Sequence, residues 1–537
     1  MIRSSPDFGA EAHTTTIGPD NAAHGLHGDH PSGAMPSHHE MQDLRETEGS
    51  DSFTRDPAGF PEASPVTSIE LSDGAIFDLL AAPVRKGIGE ATVKMLGYGG
   101  SVPGPTLRVP QGAEVTVRFR NEMDLETTVH WHGLRHENRF DGVPTPHRGM
   151  QAPVKPGETF TYRLRFPDAG IFWYHPHVRE DYGQEQGLYG SIVVEPTDPL
   201  YWPSVHREIS LMVDDILMEE GRVAAFNRSV SDHTAMGRYG NVMLLNGETD
   251  FRIEALVGEV VRLFVVNAAN TRVFNLAIPG ASLKLIGGDN GRLERETFVE
   301  EVLIAPSERA VVDVLFEHPG RLNVEHRTPD TTYSLGTVYV RDTPVDRPHT
   351  TEFATTRTSP ELEAERVSLN LDLERAPDKT ISMVGVMPVM ANHGHTPSHS
   401  DKHAPAIEWE DTMEAMNRMA TPQNMIWKLV DEETGAENHD INWTFQRGER
   451  VKIRILNTPG SDHPMQHPFH IHGERFLVLS HNGIPNSNLA WKDTVLVQTG
   501  ETVDLLMDAS NPGVWMAHCH IAEHLEGGMM LTFEVVE

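Results

Sequence analysis

Four His-x-His pairs and one cysteine hold the chemistry this sequence can do: His130/His132, His175/His177, His470/His472, His518/His520 and Cys519. In a strand, residues i and i+2 point to the same face, so each pair can present two imidazoles to one site. Eight imidazoles suit copper, zinc, iron or nickel. The last motif narrows the choice. It reads His518-Cys519-His520-Ile-Ala-Glu-His524-Leu-Glu-Gly-Gly-Met529, and His467 stands upstream in His467-Pro-Phe-His470-Ile-His472. A thiolate from Cys519, imidazoles from His467 and His524, and a weak axial thioether from Met529 form the ligand set of a blue-copper electron-transfer site. Alternation along a strand puts Cys519 on one face and His518 and His520 on the other. A copper on the thiolate is then joined by a short covalent path to metals held by the neighbouring imidazoles, which suits the passage of single electrons from one site to a cluster.

Such side chains need rigid elements to hold them, and from about residue 65 the chain reads as β. Runs of alternating apolar and polar residues, as in Val115–Phe119, Tyr162–Phe166 and Val451–Ile455, are broken by Gly, Pro, Asn and Asp. Helical spacing is rare; the acidic, Met-rich stretch from Trp409 to Met425 is the main exception. A repeat organises the whole. Gly112-Ala-Glu-Val-Thr-Val-Arg-Phe-Arg-Asn121 returns as Gly258-Glu-Val-Val-Arg-Leu-Phe-Val-Val-Asn267 and as Gly448-Glu-Arg-Val-Lys-Ile-Arg-Ile-Leu-Asn457. Each copy is followed by a second shared element, leading to His175-Pro-His177, to Glu325-His326-Arg327 and to His518-Cys519-His520. Three similar β domains in tandem are expected, over 65–198, 199–345 and 346–537, after a disordered His-rich tail over 1–64. The outer two carry histidines at matching positions. The middle one has largely lost them and reads as a spacer, so a site shared by the first and third follows.

Composition bounds the partners. With 78 acidic against 44 basic residues the formal charge is −34, which argues against nucleic acid. No apolar run of 18 or more residues is present, so no membrane span is expected. A single Cys excludes an intramolecular disulfide. The N-terminus reads as lacking a signal peptide, so the expected chain is either cytoplasmic or a processed form of an exported (periplasmic or extracellular) protein.

These motifs resemble those of the multicopper oxidases, the family of laccases, bacterial spore-coat oxidases and cuprous oxidases, from about residue 65 to the end. His-Trp-His-Gly, His-Pro-His, His-Pro-Phe-His-Ile-His and His-Cys-His with a trailing His and Met are all present. The resemblance implies an all-β fold of three tandem cupredoxin-like Greek-key β-sandwich domains, with one type 1, one type 2 and two type 3 coppers. It implies that His130 and His470 bind the type 2 copper, and that His132, His175, His177, His472, His518 and His520 bind the type 3 pair. His467, Cys519, His524 and Met529 would hold the type 1 copper. Electrons from a small reducing substrate would enter near His524 and pass through Cys519 to the cluster, where dioxygen becomes water. Asp141 stands nine residues after His132, where similar enzymes place an acid that supplies protons. Several relatives have a Glu directly after the trailing His. Here that residue is Leu525, which puts their second proton route in doubt; Glu523 and Glu526 are the substitutes at hand, with surface acids as the plainer reading.

Three readings of function stay open. One is a laccase-like oxidase of phenols and aromatic amines. Another is a cuprous oxidase for copper tolerance. It is motivated by Met383, Met387, Met390, Met413, Met416, Met419 and Met425, with His393, His395, His399 and His403 among them, because thioethers favour Cu(I). Asp462, His463 and Met465 could form part of an extra copper site. The third reading is a copper-binding or structural protein without turnover. Copper nitrite reductase is disfavoured, since it lacks the four paired motifs.

Overall fold

The computed structural model describes residues 52–144, 149–388, 406–458 and 460–537. Strands dominate these residues and form paired sheets, three cupredoxin-like sandwiches in succession. The elements that matter for the site follow in chain order. They are the strands β1 (Glu114–Asn121), β2 (His130–His132) and β3 (Gly170–His175), the short helix α1 (Glu180–Glu185), and the strands β4 (Glu259–Asn267) and β5 (Arg309–Phe316). Then come the helices α2 (Pro360–Glu374) and α3 (Glu414–Arg418), the strands β6 (Arg450–Asn457), β7 (His467–Ile471) and β8 (Gly513–Cys519), and the helix α4 (Ala522–Glu526). No helix among the described residues is long and apolar enough to cross a membrane. Of the tail expected to be disordered over 1–64, residues 1–51 lie outside the described residues, as do Met390, His393, His395, His399 and His403, whereas within 52–64 Phe53 joins the first core and Ser52, Glu62 and Ser64 bridge to Asn227, Arg85 and Ser101.

The sequence repeat has a physical cause. Its three copies are β1, β4 and β6. Each opens after a glycine with φ of 87°, 81° or 91°, the left-handed conformation that favours glycine. Each ends on a buried Asn whose side-chain amide donates to two backbone carbonyls. Asn121 donates to Leu125 and Val154, Asn267 to Arg272 and Ile304, and Asn457 to Met465 and Val497. One side chain thus pairs two loop carbonyls that would otherwise be buried without partners, which fixes the Gly-to-Asn spacing. Alternate residues of the three strands enter three apolar cores, with Val117 and Phe119 in the first, Val261 and Val265 in the second, and Ile453 and Ile455 in the third.

Two local expectations are corrected. The Met-rich stretch from Trp409 to Met425 is helical only over the five residues of α3. Met425 and, upstream, Met383 are core residues of the third sandwich. A longer helix, α2, lies near the start of the expected third domain, where no helix was expected. Ser359 caps it by accepting from the Leu362 N–H, and Pro360 occupies its first turn.

Candidate metal centre

Strand register brings the paired histidines together. In the first sandwich β2 runs antiparallel to β3 and sets His130 opposite His175. In the third, β7 runs antiparallel to β8 and sets His470 opposite His518, with Phe469 opposite Cys519. The two sandwiches then place these strands face to face. The His132 and His470 rings stack at 3.7 Å, and the His130 and His472 rings lie 4.0 Å apart. His177 reaches His518 at 5.3 Å, and His520 reaches His132 and His175 at 5.0 Å each. All eight imidazoles line one buried chamber.

Nearly every ring is held from behind. His130 Nδ1 donates to the Asp141 carbonyl (2.7 Å), His175 Nδ1 to the Pro176 carbonyl (2.9 Å), His470 Nδ1 to the Asp493 carbonyl (2.8 Å) and His518 Nδ1 to the Cys519 carbonyl (2.9 Å). His472 Nδ1 donates to Asp141 Oδ2 (2.9 Å) and His132 Nε2 to Asp493 Oδ1 (3.0 Å). A neutral imidazole that donates through one nitrogen has a lone pair on the other. Those other nitrogens include His130 Nε2, His132 Nδ1, His175 Nε2 and His470 Nε2, all buried without a hydrogen-bond partner. Nε2 of His472 and Nε2 of His518 face each other at 3.0 Å with no proton left to share. Converging lone pairs of this kind repel unless cations lie between them. The rings are also kept neutral, as ligation needs. Desolvation comes first, followed by repulsion from one another and, for His132, from Arg309. Together these hold His132, His175, His470, His518 and His520 well below the usual histidine range and lower His472 to about 4.

On the other face of β8, Cys519 Sγ lies 3.4 Å from His467 Nδ1 and 3.6 Å from His524 Nδ1, and the two nitrogens are 3.2 Å apart. A cation about 2 Å from each donor fits the centre of this triangle. Burial pushes the Cys519 thiol far up, so a bound cation is what would make it a thiolate. Met529 is fully buried in the same apolar cluster, and its carbonyl accepts the Cys519 N–H at 3.1 Å. The donor set of imidazoles, one thiolate and a neighbouring thioether matches copper.

Acids complete the picture. Asp141 sits between two expected ligands, its carboxylate 2.9 Å from His472 Nδ1 and 3.2 Å from His130 Nδ1. Burial would raise its pKa, but these imidazoles overcome that and hold it well below the carboxylate range. Leu525 packs with Val143, Met516 and Met530 in a small apolar cluster. Glu523 is buried rather than on the surface. It accepts from Asn270 Nδ2 (3.1 Å) and Thr271 Oγ1 (3.3 Å), and burial raises it to about 7.

Two acids escaped the sequence reading. Glu180 is wholly buried at the start of α1, with both carboxyl oxygens unpaired and Oε1 lying 3.4 Å from His520 Nδ1 and 3.7 Å from His175 Nδ1. Arg179 turns it inward. That residue has φ 47°, a left-handed conformation costing about 1 kcal/mol, and is held by two bonds to Asp181 and one to the Arg228 carbonyl. The only sequence signal was its place three residues after His177. Asp493 is the second. Besides His132 it binds Arg309 of β5 through two 2.5 Å contacts and Asn290 Nδ2 at 2.7 Å. The middle sandwich, expected only as a spacer, therefore clamps His132 of the first onto the third. Its own His326 takes no part; its Nδ1 accepts the Asn275 N–H and its ring stacks on Tyr333.

Above the cysteine site, His524 is completely buried. Trp427 covers its ring at 4.1 Å, and Trp427 Nε1 donates to the Thr234 carbonyl. Asn417 of α3 ties this cover down, accepting the Met236 N–H and donating to the Gly237 carbonyl. Met416 and Met419, on either side of it in sequence, are exposed. Of the residues expected to form part of an extra copper site, His463 keeps Nε2 buried without a hydrogen-bond partner. The Asp462 carboxylate accepts the Met387 N–H, Met465 is buried in the core, and the His463 ring lies 6.2 Å from Trp427.

Comparison with known proteins gives the same answer. Family models described as multicopper oxidase match residues 84–199 and 408–537. The chain is 27% identical over 451 residues to a multicopper oxidase of Staphylococcus epidermidis, covering 82% of this chain and 83% of that protein. It is 26% identical to the multicopper oxidase MmcO of Mycobacterium tuberculosis, covering 85% and 86%. Among solved structures, a multi-copper oxidase from Pseudomonas thermotolerans is 27% identical with a TM-score of 0.63, covering 88% of this chain and 100% of that one.

Proposed function

The chain belongs to the multicopper oxidase family and is a copper-dependent oxidoreductase with dioxygen as acceptor, and from that premise we propose that its electron donor is Cu(I) rather than a phenol. Relatives carry names of both kinds, copper resistance protein A in Escherichia coli and laccase-12 in Arabidopsis thaliana. The observation that favours Cu(I) is the cover over His524. A phenol ring needs contact with the edge of that imidazole, and Trp427 and the Thr234–Gly237 segment occupy the space. The exposed part of the cover instead offers Met416 and Met419, whose thioethers prefer Cu(I).

When bound, copper takes single electrons from the donor and reduces dioxygen to two waters. His467, Cys519, His524 and Met529 would hold the type 1 ion; His130 and His470 the type 2 ion; His132, His175, His177, His472, His518 and His520 the type 3 pair. The rest of the work belongs to the protein. The carbonyls behind the rings fix their tautomers and aim one lone pair of each inward. Asp141, held ionised, orients His472 through Oδ2 and takes up and passes on protons at Oδ1, the oxygen without a hydrogen-bond partner. Glu180, whose carboxyl is pushed up by burial and by the like charges of Glu526, Asp181 and Glu523, offers a proton site beside His520 and takes the place left by Leu525. The apolar packing around Cys519 excludes water from the thiolate.

Oxygen uptake with Cu(I) and with a phenol, before and after the double change Met416→Ala and Met419→Ala, tests the donor. The Cu(I) rate should fall about tenfold or more and the phenol rate should hold. An unchanged Cu(I) rate beside a faster phenol rate would return the laccase-like reading.

A further inference from the structure

Away from the imidazoles, where the three sandwiches meet, a cavity of about 90 Å³ is lined by Asp168, Asn290, Arg292, Arg475, Trp491 and the start of α2. Four buried polar atoms among these residues have no hydrogen-bond partner: Arg292 Nε, Arg475 Nε, Trp491 Nε1 and Asn290 Oδ1. Buried polar groups are nearly always paired. Four orphans around one cavity therefore call for an occupant, and their chemistry says which: three N–H donors and one carbonyl acceptor.

Guanidinium chemistry favours an oxyanion over water alone. The Arg292 guanidinium has no carboxylate or other hydrogen-bond acceptor among the described residues; it rests on the Tyr201 ring at 4.6 Å. Arg475 stacks on Trp491 at 4.1 Å and reaches Asp168 at 3.3 Å. Asp168 is already held by Arg135 through contacts of 2.7 and 2.8 Å, so one carboxylate serves two guanidiniums. Glu361 is the other acid of the lining, at the N-terminus of α2, whose helix dipole adds partial positive charge. Burial lowers the Arg475 pKa, and the nearby Arg135 lowers it further against the pull of Asp168, Asp508 and Glu361. Among the described residues neither Asp508 nor Glu361 hydrogen-bonds Arg475 or Arg292, so the guanidinium Nε–H groups stay unpaired although the surrounding charges balance. Stacked guanidiniums with a free N–H edge suit oxyanions.

We propose that this cavity binds a small oxyanion that keeps one hydroxyl, hydrogencarbonate or hydrogenphosphate. The two arginines and the Trp491 indole N–H donate to its oxygens, and its hydroxyl donates to Asn290 Oδ1. The same Asn290 side chain donates through Nδ2 to Asp493, which in turn fixes His132. The anion thus sits at the far end of a hydrogen-bonded chain from the metal centre and steadies the clamp that joins the sandwiches. The site itself needs no copper.

Titration calorimetry of the full copper-loaded chain with phosphate, hydrogencarbonate, acetate and chloride, at one pH and one ionic strength, tests the site. Phosphate or hydrogencarbonate should bind saturably with a stoichiometry of one, whichever is tighter being the occupant. Acetate has no hydroxyl to donate and should bind at least about tenfold more weakly. Arg292→Gln should weaken the tight anion about tenfold or more. Trp491→Phe should also weaken it, in a protein that keeps an aromatic ring against Arg475. Crystals soaked in arsenate should show the anomalous signal in the cavity. No saturable binding, equal binding of acetate and chloride, unchanged affinity in a folded Arg292→Gln protein, or arsenate found only elsewhere would each overturn the proposal.

Discussion

Removing Arg309 should loosen all three sandwiches at once. Its guanidinium is completely buried and makes two 2.5 Å contacts to Asp493, one bond to the Ile171 carbonyl (3.0 Å) and one to the Ser307 carbonyl (3.1 Å). Burial alone would raise the Asp493 pKa, and Arg309 is the main reason it lies far below the carboxylate range. Arg309→Met keeps most of the volume but leaves that carboxylate buried with only Asn290, Thr494 and His132 as partners. Breaking a buried pair from one side costs about 3–5 kcal/mol. Replacing both partners by neutral groups costs less, so Arg309→Met with Asp493→Asn should be milder than the sum of the single changes by about 2 kcal/mol. Urea unfolding of the copper-stripped proteins, followed by tryptophan fluorescence, removes metal binding from the comparison. The single variant should also separate into more than one transition, because the clamp links sandwiches that could otherwise unfold apart. A loss below about 1 kcal/mol, or strict additivity in the double variant, would refute the clamp.

Other expectations follow from single residues. Lys94 is buried against the Tyr182 hydroxyl, and burial lowers its pKa from 10.5 to about 8. The unfolded chain therefore binds more protons between these values, and wild-type stability should rise with pH across that window. Lys94→Met should be more stable than wild type by up to about 3 kcal/mol near neutral pH, an advantage that fades toward pH 10.5 in thermal melts; a pH-independent difference would exclude the linkage. A Cβ at Gly133, where φ is 84°, would lie 2.5 Å from Asp493 Oδ2 and 2.8 Å from Arg309 Nη2. Gly133→Ala should therefore cost about 2 kcal/mol or more and lower copper content by metal analysis, whereas normal stability and loading would show that the clamp yields easily. Glu180→Gln should leave visible absorption unchanged while slowing oxygen uptake about tenfold or more; full turnover would make the carboxyl a bystander.

The expected ligands, which the structure brings together, were legible because ligation imposes local spacing. A His-x-His pair in a strand and a Cys flanked by His are written into consecutive residues, and the Gly-to-Asn repeat marked the strands that pack behind them. What the sequence hid depends on distance along the chain. Asp493 and His132 are 361 residues apart and meet only through the packing of separate sandwiches. Arg309 lies on a strand that reads as ordinary β structure. Glu180 follows His177 closely, yet only the left-handed turn at Arg179 aims it at the chamber. The Met-rich stretch was ambiguous for another reason. Thioether spacing looks alike in core and surface, and the structure puts Met383 and Met425 inside and Met416 and Met419 outside.

The most direct test is the visible spectrum of the copper-loaded protein with Cys519 intact and with Cys519→Ser. The wild type should bind four copper ions and show an intense band toward the red. The variant should lose that band and one copper while keeping the other three. Absence of the band in fully loaded wild type, or its survival without the thiol, would contradict a copper held between His467, Cys519 and His524.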